Sequence, residues 1–148
     1  MNRGQKLAVA ESCTGGLVAD MITDTPGSSR WFDRGWVSYS NAAKIENLNV
    51  AEELIERHGA VSEEVARAMA DGARNAAKTE WGIATTGIAG PDGGTPDKPV
   101  GTVWIAVTSA STALARLLKL SGLRETIKLR TAHSALYLLY RSLMGYGN

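Results

Sequence analysis

The chain has 148 residues, 44% of them hydrophobic and 21% charged, with a formal net charge of +1. That balance is ordinary for a globular chain and argues against a nucleic-acid binder, which would carry a basic face or stripe. No apolar run reaches the length of a membrane span, no signal-peptide core is present, and one cysteine with two histidines makes neither an internal disulfide nor a zinc set. The expectation is a cytoplasmic, metal-free chain forming one domain over residues 1–148. A domain of that size buries roughly 70% of the surface its unfolded form exposes.

Leu7-Ala8-Val9-Ala10 is a short apolar run that predicts a buried strand, and Leu17 to Ile22 has apolar pairs at helical spacing. Between them lies Glu11-Ser12-Cys13-Thr14-Gly15-Gly16, a corner where a strand hands over to a helix. Thr25-Pro26-Gly27-Ser28-Ser29 stops that helix. Trp36 to Ser40 reads as a second strand, Asn41 as the cap of a short helix over Ala42 to Leu48, and Ala51 to His58 as another helix ended by Gly59. Ser62 with Glu63 and Glu64 starts a longer helix, with a buried stripe of Val65, Ala66, Met69, Ala70, Ala73, Ala76 and Ala77. Trp81 to Thr86 returns as a strand, followed by a turn-rich stretch from Gly87 to Pro99. Val100 to Val107 and Ala113 to Leu120 form a hairpin, and an amphipathic helix runs from Arg124 to Leu143. Strands alternating with helices predict a three-layer α/β/α sandwich on a mixed, mostly parallel sheet of about five strands, one of them antiparallel through the hairpin.

Three segments carry candidate chemistry. At the first corner, a serine beside free backbone N–H groups and a helix dipole has the setting of a nucleophile with an oxyanion site at Thr14, Gly15 and Gly16. The plainer alternative is that Ser12 or Thr14 caps the helix. Cys13 is a rival nucleophile that reads more simply as a small buried thiol. In the second segment, Lys44 in the first turn of a helix is disfavoured by the dipole, which with any burial lowers its pKa and suits a general base; alone, it reads as a solvated lysine. Tyr39 beside it is a packing residue or a proton-relay hydroxyl. The third is the glycine-rich stretch from Thr85 to Gly101, which follows neither the Walker nor the dinucleotide pattern but is long enough to suggest a ligand loop. Arg124 and Lys128 at the start of the last helix could reach a phosphate, and Ser28 and Ser29 could bind an anion or simply shape a turn. His58 and His133 read as structural.

Taken in order, Glu11-Ser12-Cys13-Thr14-Gly15-Gly16, Tyr39-Ser40-Asn41 with Lys44, and Gly87-Ile88-Ala89-Gly90-Pro91-Asp92-Gly93-Gly94 with Lys98-Pro99-Val100-Gly101-Thr102-Val103 closely resemble the CinA carboxy-terminal domain family, the nicotinamide-nucleotide amidohydrolases. Gly27-Ser28-Ser29 with Trp31-Phe32, and His58-Gly59-Ala60-Val61-Ser62, match as well, and the resemblance covers roughly Leu7 to Leu143. It implies an α/β/α sandwich with a mixed five-stranded sheet and homo-oligomers. It also implies hydrolysis of the carboxamide of nicotinamide mononucleotide to nicotinic acid mononucleotide and ammonia, without a metal or organic cofactor. By position the serine nucleophile falls on Ser12, the lysine base on Lys44 and the motif tyrosine on Tyr39. On this reading Thr86, Gly87, Gly90 and Thr102 hold ribose and phosphate, with Ser28, Ser29, Arg124 and Lys128 as further substrate contacts and no nucleic acid or membrane as partner.

The chain departs from the family pattern twice. Family members usually carry an amphipathic helix before the first strand, which is expected to be missing here. Gly122-Leu123-Arg124 with Lys128 stands where the family often has Gly-Asp-Arg with an arginine four residues on, and lysine lacks the bidentate phosphate contact of arginine. Pyrophosphatase activity of the amino-terminal domain in longer family proteins is not assigned. The competing readings are a non-catalytic nucleotide-binding module and a serine-lysine amidase of another substrate.

Overall fold

A computed structural model of the protein describes residues 4–146. The apolar run at the start becomes strand β1 (Leu7–Glu11), fully buried because it is an inner strand, paired on both sides, between β2 (Phe32–Val37) and β3 (Trp81–Gly87). Strands β4 (Thr102–Thr108) and β5 (Ala113–Lys119) complete a five-stranded sheet of order β2-β1-β3-β4-β5. Both partners of β1 run parallel to it, whereas β4 is antiparallel to β3 and β5 to β4. Four strands therefore share one direction and β4 alone opposes them, as expected for a mixed, mostly parallel sheet with one reversed strand.

The period of two along each strand divides the core. Leu7, Val9, Ile83, Val103, Ile105 and Val107 face helices α1 (Leu17–Thr23) and α5 (Arg124–Leu143). Ala8, Ala10, Ala84, Ala106 and Ala115 face the opposite layer, with α2 (Asn41–Leu48), α3 (Glu52–His58) and α4 (Glu63–Ala77). The alanine face lets α4 come close: a Cβ at Gly82 of β3 would lie 2.1 Å from the Ala70 carbonyl oxygen, and one at Gly72 only 2.0 Å from that of Leu48. No helix among the described residues is long and apolar enough to cross a membrane.

Several expectations move. Strand β2 begins at Phe32, ahead of the expected Trp36, because it is the edge strand laid along β1; Ser38 to Ser40 instead lead into α2. Asn41 is the first residue of α2, and the cap is Ser40, whose Oγ accepts the Ala43 N–H at 3.0 Å. Ala76 is exposed and Ala77 half-buried, since α4 outruns the sheet before Lys78 ends it. Strand β4 starts at Thr102 because Gly101 turns at φ 91°, where a Cβ would meet the Leu120 carbonyl oxygen at 1.7 Å. Residues 4–6 form no helix ahead of β1, and the rest of the expectation about a missing first helix falls on residues 1–3, outside the described residues.

Candidate active site

The corner after β1 is built around a carboxylate. Glu11, the last residue of the strand, is 1% exposed and reaches over the turn to the start of α1. Its Oε2 accepts N–H groups from Gly16 at 3.1 Å and Val18 at 3.0 Å and the Thr14 hydroxyl at 2.6 Å, while Oε1 accepts Ala19 N–H at 2.9 Å. A negative group at that end of α1 also opposes the helix dipole. Neither Ser12 nor Thr14 is the cap; the strand's own glutamate is. Gly15 and Gly16 have φ of 63° and 101°, left-handed values that allow the chain to double back under this side chain.

Ser12 is held from both sides by main chain. Its N–H donates to the Thr85 carbonyl at 3.0 Å, and its own carbonyl accepts from Gly15 N–H at 3.1 Å. Across from it, α2 delivers Lys44, whose side chain is 1% exposed. The Lys44 Nζ lies 3.2 Å from Ser12 Oγ, 2.9 Å from the Tyr39 carbonyl oxygen and 3.5 Å from that of Ser40. Burial holds its pKa below the usual lysine range. The leading cause is desolvation, the burial that the sequence expectation paired with the helix dipole. Two of the three oxygens around Nζ are carbonyls and only accept, so an uncharged amine that gave them its two N–H bonds would turn its lone pair to Ser12.

Cys13 is treated oppositely. Burial pushes its thiol up to about 12, outweighing the hydrogen bond of its own backbone N–H; the charge of Glu11 adds a smaller rise, and Lys44 and Lys128 oppose it more weakly still. Of the two adjacent nucleophiles, the hydroxyl is paired with a base and the thiol is kept protonated.

Ser12, Cys13 and Lys44 open onto a cleft of about 190 Å³. Ala60, Val61 and Ala89 give it an apolar side, Tyr39, Asn41 and Arg124 a polar one, and no carboxylate lines it. Arg124 spans the mouth: Nη1 donates to the Gly90 carbonyl at 2.6 Å and Nη2 to the Tyr39 hydroxyl at 3.1 Å. One turn later, Lys128 brings its ammonium to 3.7 Å from where a Cβ of Gly15 would be. Lys98 anchors the glycine-rich segment from the other side, donating to the His58 carbonyl at 2.9 Å.

The expected site residues do not all meet here. Ser12, Lys44, Tyr39, Thr86, Gly87 and Arg124 line the cleft, with Lys128 beside it. Thr86 gives its hydroxyl proton to the carbonyl of Ala60, another lining residue, at 2.8 Å. Gly90 does not line the cleft but holds Arg124 through its carbonyl. Thr102 opens onto a different hollow, with Pro99 and Leu120. Ser28 and Ser29 lie in a single 3₁₀ turn before β2; since β2 runs parallel to β1 and Trp31 pairs with Leu7, that turn is at the end of the sheet opposite Ser12. The expected oxyanion donors also change. Gly15 and Gly16 give their N–H groups to Ser12 and Glu11, whereas the N–H groups of Cys13 and Thr14 bond to no other residue.

His58 places Nδ1 3.3 Å from Glu64, and His133 is exposed on α5; neither lines the cleft. Among the described residues no cluster of histidine, cysteine and carboxylates could hold a metal ion. Sequence reasoning passed over three residues: Glu11 as the support of the corner, Asn41 as a lining group, and Thr85, whose hydroxyl lies 2.7 Å from that of Thr14. Asn41 had a usable signal, being three residues before Lys44 and so on the same helix face.

The family model for the CinA C-terminal domain matches residues 1–143. A CinA-like protein of Syntrophotalea carbinolica is 53% identical over 140 residues, an alignment covering 95% of this chain and 34% of that protein. A CinA-like protein of Anaeromyxobacter sp. (strain K) is 51% identical over 143 residues, covering 95% of this chain and 35% of its own length. The chain thus spans about a third of the length of these curated relatives. Among solved structures, the competence/damage inducible protein CihA from Agrobacterium tumefaciens superposes with a TM-score of 0.90 at 41% identity, over 93% of this chain and 84% of its own. The competence damage-inducible protein A (ComA) from Klebsiella pneumoniae gives 0.92 at 34% identity, over 96% and 88%.

Proposed function

This chain belongs to the CinA C-terminal domain family, and from that premise we propose that it hydrolyses the carboxamide of nicotinamide mononucleotide to nicotinic acid mononucleotide and ammonia, with Ser12 as nucleophile and Lys44 as base. The observation that carries this reading is the buried Lys44 amine 3.2 Å from Ser12 Oγ, with two carbonyls holding its N–H bonds.

The neutral amine takes the hydroxyl proton as Ser12 Oγ bonds to the carboxamide carbon. Charge collects on the carboxamide oxygen, and its donors are the N–H groups of Thr14 and Cys13, neither bonded to another residue, the Cys13 group turning from its own thiol; such donors contribute roughly 3–4 kcal/mol each. The Lys44 ammonium returns its proton to the nitrogen as the C–N bond breaks, so ammonia leaves and an acyl-serine remains. Water then adds to the acyl carbon while Lys44 takes its proton, and collapse frees the carboxylate and restores Ser12. Ala60, Val61 and Ala89 suit the pyridine ring in a cleft that presents no competing carboxylate, and Arg124 on its lining, with Lys128 outside it near Gly15, suits the phosphate.

Ammonia release from nicotinamide mononucleotide, compared with free nicotinamide, tests the reading. Turnover of the nucleotide alone is expected. Binding without ammonia would make the chain a nucleotide-binding module, and equal turnover of free nicotinamide would make it an amidase of another substrate.

A further inference from the structure

Glu11 takes no part in those steps, yet it is buried directly before the nucleophile. Withdrawing a carboxylate from water is costly, and a helix cap alone does not call for it, since the hydroxyl of Ser12 or Thr14 would serve. Capping by Ser12 would consume the hydroxyl that faces Lys44. Glu11 instead reaches across the turn and collects the donors of Thr14, Gly16, Val18 and Ala19. The hydrogen-bond directions follow from chemistry: Thr14 gives its only hydroxyl proton to Glu11, so Thr85 must donate to Thr14. One buried chain of polar groups thereby ties β1, the 12–16 turn and β3 together. The same carboxylate occupies the positive end of α1, so that end is closed to a substrate anion.

We infer that Glu11 is a positioning residue for the hydrolysis: by satisfying the start of α1 itself, it fixes the turn so that Ser12 Oγ stays with Lys44 and no other residue takes the N–H groups of Cys13 and Thr14. The inference rests on the Ser12–Lys44 reading of the site.

Glu11→Gln tests it, because whichever way the amide is turned, its NH₂ group faces N–H or hydroxyl donors. The expected result is a kcat lower by on the order of 10²-fold, the scale of one lost oxyanion contact, with KM changed by less than about threefold. The pH at which the rate is half-maximal stays put, since Glu11 is not among the groups that shift Lys44. Labelling of Ser12 by a fluorophosphonate, read by mass, slows in parallel and needs no nucleotide. Thr14→Val removes one of the four donors and lowers kcat and labelling about tenfold, and Thr14→Ser, which keeps the hydroxyl, recovers most of that loss.

A folded Glu11→Gln protein with kcat and labelling within about threefold of the parent would overturn the inference. If that variant does not fold, an unimpaired Thr14→Val protein would overturn it. If the parent is labelled at Ser12 but releases no ammonia, the substrate assignment fails alone, and the labelling rates still decide the role of Glu11.

Discussion

Two loops meet at the cleft, and they are built in opposite ways. The turn from Glu11 to Gly16 is buried as far as Thr14 and cross-linked through a carboxylate, two threonine hydroxyls and main-chain bonds to β3. The segment from Ile88 to Gly101 is largely exposed; main-chain bonds hold its two ends to Thr102 and Leu120, and two cations hold the rest, Arg124 at the Gly90 carbonyl and Lys98 at that of His58. Under the proposed hydrolysis, the first would hold the groups that make and break bonds, which tolerate little displacement, and the second would border the part of the cleft that takes the rest of the ligand, where adjustment is harmless. Damage to the turn should therefore appear in kcat, and damage to the glycine-rich segment in KM.

The largest effect is expected from Ser12→Ala, which should lower kcat by on the order of 10⁴-fold with the melting temperature nearly unchanged. Cys13→Ala should keep most of the activity, and Cys13 should resist iodoacetamide at neutral pH, because its thiol is pushed up to about 12. The reverse pattern would place the nucleophile one residue later.

Lys44→Met should cost about 10³-fold in kcat and should remove the alkaline rise of the rate. Its effect on stability has the opposite sign. Because burial lowers the folded-state pKa of Lys44, the unfolded chain binds more protons below the ordinary lysine value of 10.5, and stability rises with pH through that window. The methionine variant should thus melt a few degrees higher than the parent at neutral pH, with the advantage shrinking as pH approaches 10.5; calorimetry across pH measures it.

Arg124→Ala should raise KM for nicotinamide mononucleotide by about 10–100-fold with kcat changed much less, and Arg124→Lys should not restore it, since one ammonium cannot reproduce the planar fork that spans Gly90 and Tyr39. Lys98→Ala, which frees the glycine-rich segment from α3, should raise KM by no more than about threefold and speed hydrogen exchange over residues 88–101. A fall in kcat from either change would erase the distinction between the two loops.

The sheet and its helices were legible because each rests on a local signal: buried runs for β1 and β3, and a period near 3.6 for α4 and α5. The Ser12–Lys44 pair was legible only through the resemblance of the motifs taken together, since locally Lys44 reads as a solvated lysine and Ser12 as a cap. What escaped is tertiary. Strand β2 carries Asp33, Arg34 and Gly35, so on an exposed edge its first half has no apolar alternation to read. Ser28 and Ser29 sit beside matched motif residues in sequence, but only the parallel pairing of β1 with β2 shows that they lie at the far end of the sheet. Gly15 and Gly16 looked like free donors because nothing in the order of residues says that Glu11 folds back over them.

The seat of α4 sets how far a distant substitution can reach. At Gly82 the helix rides on the strand with no clearance for even a methyl group. The segment leading into that helix carries Ala60 and Val61, which wall the cleft, and the Ala60 carbonyl that fixes Thr86. Gly82 thus acts as a spacer of zero thickness: any side chain there would have to lift α4, and the wall of the cleft would shift with it although nothing in the cleft had been altered.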